Sequence, residues 1–107
     1  MTISDRQQRR QERREARRLR RNLSSEQRRY IDETAAGIWR ETGDLGEASR
    51  VTKRTLENSS TEMGFDPATI MLLIQLAILI YKALKYFQVF SPTPELIEAI
   101  YEDGDDD

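Results

Sequence analysis

Apolar residues recur at helical spacing through most of this chain, and helix start and stop signals, not strand signals, punctuate them. "SSEQ" opens one such segment: Ser24 is placed to cap and Gln27 to reach back from the third helical position. Tyr30, Ile31, Ala35, Ile38 and Trp39 then share a face until Gly43. "DLGE" repeats the grammar with Asp44 and Glu47. Leu45, Ala48, Val51, Thr55 and Leu56 follow at helical spacing as far as Gly64, with fraying expected over Asn58 to Glu62.

Asp66-Pro67 announces the next helix, read as running to Phe90 before Ser91-Pro92 stops it, and Thr93-Pro94 begins a short last one carrying Leu96, Ile97, Ile100 and Tyr101. Ahead of all these, a polar helix is expected to start after a cap at Ser4 and to end near Asn22. The pattern predicts an all-α fold of about five helices: a long basic N-terminal helix, a central hydrophobic helix and a short C-terminal helix. Its segments are an arm over 1–23, two amphipathic helices over 24–65, the hydrophobic helix over 66–91, and a short helix with an acidic tail over 92–107. At 107 residues such a chain is expected to be elongated and to bury its apolar helix against partners.

The hydrophobic helix poses the sharpest question. Ile70 to Phe87 spans about 27 Å as a helix, close to the thickness of a bilayer's hydrocarbon layer. Lys82 and Lys85 each cost roughly 2.5 to 3.5 kcal/mol near a span's centre, which a dozen apolar residues offset, so insertion is feasible without being compelled. The flanks do not orient a span: "ENSSTEMGFD" is acidic and the arginines lie more than forty residues upstream. The competing reading is a buried axis, with Gln75, Lys82, Lys85 and Gln88 on its one polar side. Ile70, Leu73, Ile74, Ala77, Ile78, Tyr81 and Leu84 are its expected assembly or membrane positions.

Charge changes the picture at the N-terminus. The net charge of −2 conceals +7 over Met1 to Arg29, −4 over Tyr30 to Asp66 and −5 over Pro67 to Asp107. Arg6, Arg9, Arg10, Arg13, Arg14, Arg17, Arg18, Arg20 and Arg21 fall within roughly half of a helix circumference. Like charges at this spacing repel, so the face calls for an anion. DNA backbone is one candidate, because arginine's fork fits phosphate; an acidic protein surface is the other, such as a neighbour's Glu102, Asp103 and Asp105 to Asp107. No aromatic is interleaved between the arginines, which points to backbone contact without single-strand stacking.

Candidate chemistry adds little. The chain has no His and no Cys, hence no thiolate site and neither of the commonest general base nor metal ligand. It has no Walker loop, no G-x-G-x-x-G and no nucleophile–base set. Glu95 and Glu98 suit an ordinary helix start, and "DGDDD" lacks the spacing of a calcium loop. The chain is therefore expected not to be an enzyme, and to use no cofactor, metal or small-molecule substrate. The opening has no apolar core of a secretory signal, so the sequons at Asn22 and Asn58 carry no weight.

"RQQRRQERREARRLRR", Arg6 to Arg21, followed by "FDPATIMLLIQLAILIYKALKYF" resembles small virion-associated or ejected internal proteins of tailed bacteriophages in composition and order. The resemblance implies a multi-copy virion component, a homo-oligomer or a partner of larger virion subunits. It would reside in the host cytoplasm during assembly and enter the host membrane on ejection. A small membrane-inserting protein and a free nucleic-acid-binding module are the alternatives.

Overall fold

The computed structural model describes residues 3–102, apart from the side chains of residues 3 and 60–62. It contains five helices: α1 (Ile3–Arg21), α2 (Ser25–Thr42), α3 (Leu45–Met63), α4 (Pro67–Tyr86) and α5 (Pro94–Glu102). Among the described residues there is no strand. The fold is all-α, and its helix boundaries follow the capping chemistry closely. Ser24 Oγ accepts from the Gln27 N–H at 3.1 Å while Gln27 Oε1 accepts from the Ser24 N–H at 2.9 Å, which is the reciprocal box. Gly43 ends α2 in the left-handed region at φ 60°, its N–H donating to Trp39 O.

Asp44 Oδ2 accepts from the Glu47 N–H at 2.8 Å, but Glu47 does not reach back; its carboxylate is held by Arg50 at 2.6 Å. The Thr69 hydroxyl and then the Thr69 N–H donate to the Asp66 carboxylate, and these hydrogen bonds to its charged form hold it below the usual range. Thr93 Oγ1 accepts from the Leu96 N–H to open α5.

Two boundaries differ from expectation. Ser4 lies inside α1, which is already helical at Ile3. α3 runs to Met63, through the Asn58 to Glu62 stretch. Most informative, α4 stops at Tyr86 and not Phe90. Gln88 takes a left-handed φ of 58°, its N–H bonds Lys85 O and the Val89 N–H bonds Leu84 O, the paired bonds of a Schellman motif with glutamine where glycine is usual. The turn releases the Val89 carbonyl to accept from Trp39 Nε1–H at 2.7 Å, and lays the Phe90 ring parallel to Trp39 at 6.1 Å. Tyr81 stacks on Trp39 at 5.6 Å. A buried indole thus sets the end of α4, information carried fifty residues away.

The apolar helix is the axis of the molecule. α4 touches α1, α2 and α3, while α5 closes against α2 and α1. Leu73, Leu76, Ala77, Ile80, Tyr81, Ala83 and Leu84 are buried, facing Ala16, Leu19, Ile31, Ala35, Ala36, Trp39, Ala48, Leu56 and Ile97. Alanines at six of these sites let the helix backbones approach closely. Gln75 and Lys85 face solvent, and Met71, 63% exposed, shares their side.

The chain covers the buried side of α4 with its own helices, within principal extents of 42 × 27 × 22 Å. The radius of gyration is 13.3 Å, close to the roughly 13 Å of a compact domain of this length. The arm over 1–23 packs on the rest of the chain: α1 covers one side of α4 with Ala16 and Leu19 buried, and Leu23 follows it into the core.

Candidate nucleic-acid interface

Packing α1 against α4 divides the nine arginines by angle. Ala16, Leu19 and Leu23 point into the core, so the arginines on the adjoining edge of the face, Arg9, Arg13 and Arg20, are drawn inward. Those on the far edge, Arg6, Arg10, Arg14, Arg18 and Arg21, remain exposed. Arg17 lies between, donating from Nε–H to the Tyr101 carbonyl at 3.3 Å.

Arg20 does not belong to any binding surface. It is 6% exposed and makes a two-pronged pair with Asp32, itself 4% exposed, at 2.7 and 3.0 Å, with its guanidinium over the Tyr101 ring. Burial pushes the Asp32 carboxyl upward, and the Arg20 fork pulls against it. Arg28, which the charge count had pooled with the basic head, caps α1 by donating to the Arg20 and Leu23 carbonyls.

The apolar set divides likewise. Leu73, Ala77, Tyr81 and Leu84, expected at an assembly or membrane surface, are wholly buried within this chain's own core. Ile70, Ile74 and Ile78 are half-buried. Thr52 gives its hydroxyl proton to Ala48 O and accepts from Tyr81 OH, and burial pushes that phenol up to about 12. Periodicity marked these residues as apolar contacts without showing which contact, because intrachain and interchain burial demand the same pattern.

The tertiary fold also assembles a feature invisible in the linear pattern. The C-terminal end of α4 brings Tyr86 and Phe87 beside α1, and the Arg9 guanidinium carbon lies 5.5 Å and 5.3 Å from their ring centroids. The two rings meet edge to face at 5.0 Å. Arg6, Arg9, Arg10 and Arg13 with Tyr86 and Phe87 line a cleft of about 280 Å³, and among the described residues none of its lining side chains is acidic. Across Arg9 and Tyr86 lies a second cleft of mixed charge, with Asp5 and Glu12 facing Lys82 and Lys85. Aromatics are absent between the arginines in sequence but present between them in space.

The acidic tail expected to meet the arginines lies, beyond Glu102, outside the described residues. Among the described residues no group of three carboxylates is arranged to hold a metal ion. α4 is the one described helix long and apolar enough to cross a membrane. Comparison with protein-family models, curated proteins and solved structures gives no match.

Proposed function

We propose that this chain is a non-enzymatic structural or assembly protein that holds nucleic acid by the phosphate backbone along the outer face of α1, in the manner of a small bacteriophage virion component. The observation that carries the reading is the row Arg6, Arg10, Arg14, Arg18 and Arg21. All five are exposed along about 22 Å of a helix whose opposite face is anchored in the core. Of these, Arg18 is paired with Glu15. Repulsion between the others is relieved by phosphate, and each phosphate neutralised releases counterions. The side of α1 opposite this face packs on the chain's own core, so the arginines stand on a folded helix.

Replacing Arg6, Arg10, Arg14 and Arg21 together by Gln keeps helix propensity and touches no core residue. Binding of a labelled oligonucleotide, followed by anisotropy across a salt series, is expected to weaken, with the log–log salt slope shallower by about three units. An unchanged affinity and slope would falsify the reading.

One observation favours a second reading, insertion or anchoring in a membrane: α4 has the length and apolarity of a span, and Met71 and Phe87 lie exposed on it and at its end. Insertion would require α4 to surrender its packing on α1, α2 and α3, the Tyr81–Trp39 stack included. Carbonate-resistant flotation with liposomes, accompanied by loss of the folded helical contacts, is what that reading demands.

A further inference from the structure

We infer that the cleft between α1 and the end of α4 receives an unpaired base with its flanking phosphates, so that the strand bound is single-stranded. The inference rests on the reading of the α1 face as a nucleic-acid surface and names the form of nucleic acid that face selects. Backbone contact alone gives no use to an exposed aromatic. Here Phe87 is 53% exposed and Tyr86 39%, side by side, at the end of the arginine row where every charged residue lining the cleft is an arginine. A base has a π-face to lay on such a ring only when it is unpaired and unstacked; in a duplex that face is covered by its neighbours.

The platform is built before the ligand arrives. Phe87 is the C-cap of α4, its N–H bonded to Ala83 O, and the chain beyond it is turned by Gln88 and tied down by Trp39 through Val89 O. Arg9 fixes the rings from beneath. Its side chain is 11% exposed, its nitrogens are enclosed without a hydrogen-bond acceptor, and the Glu12 carboxylate stands at 3.8 Å. Arg9 therefore orders the aromatic pair and adds charge to the cleft without reaching the ligand, whereas exposed Arg6 and Arg10 are free to grip phosphates on either side of a stacked base. Fixing the rings in advance lowers the ordering cost of binding. A bilayer surface offers charge and apolar depth as well, but it is flat and does not fill a cleft.

The test compares a labelled oligo-dT with a duplex of the same length and with an abasic oligomer that keeps the phosphates and lacks the bases. Oligo-dT is expected to bind tightest. Phe87→Ala is expected to weaken oligo-dT about ten-fold while leaving the abasic oligomer and the duplex unchanged, and Phe87→Trp to restore the preference. Thermal melts of both variants separate lost stacking from lost folding. Equal affinity for oligo-dT and the abasic oligomer, or a folded Phe87→Ala with no effect, overturns the base pocket, while the arginine-face variant still reports on the backbone reading. Binding of none of the three overturns both. Loss of flotation with phosphatidylglycerol vesicles in Phe87→Ala, with oligo-dT binding intact, assigns the cleft to lipid headgroups and overturns it too.

Discussion

Arg20 and Asp32 carry opposite charges into the core, where neither is tolerable alone. Removing one partner leaves an uncompensated buried charge, so Arg20→Met or Asp32→Leu alone is expected to cost about 3 kcal/mol in urea denaturation. The double variant is expected to recover most of that loss, because well-packed apolar residues avoid the desolvation of both ions. Equal additive losses would mean that the pair contributes nothing through its coupling. The pair was not legible beforehand: Arg20 sits within a run of nine arginines, and only its angle toward Ala16 and Leu19 distinguishes it. That angle has meaning once the direction of the core is known.

Among the helices, the starts were readable because a cap is a local hydrogen-bond problem solved by residues three apart, as Ser24 with Gln27 and Asp66 with Thr69 show. The end of α4 was not. Gln88 has no intrinsic preference for φ near 58°, and it adopts that angle because Trp39 captures Val89 O and stacks on Phe90. The left-handed residue therefore stores strain, and Gln88→Gly is expected to raise stability by about 1 kcal/mol in chemical denaturation. A loss of stability on that change would show that the glutamine side chain makes a contact worth more than the strain it tolerates. The same turn fixes Phe87, so the geometry of the cleft depends on an element end that tertiary contacts impose.

For the molecule as a whole, α1 is a wall of the core and, in the proposed function, the binding surface as well. One edge, with Arg9, Ala16 and Leu19, covers α4; the other presents Arg6, Arg10 and Arg14 to solvent. Deleting residues 1–21 is therefore expected to uncover the side of α4 that α1 shields. The truncated chain should bind a hydrophobic dye or self-associate in sedimentation, and should lose a single cooperative melt. A truncation that melts as sharply as the full chain would show that α1 lies outside the cooperative core.

What the sequence determined by itself was the helical class, the number of helices and most of their starts. Caps and 3.6-residue periodicity act between residues a turn apart, and so are written where they operate. It also determined that an arginine face exists. Tertiary structure alone decided that one side of α4 is covered by its own chain, that Arg20 is internal and that Phe87 joins Arg9. Each depends on which helix face meets which, and an apolar stripe specifies that it must be buried without specifying by what.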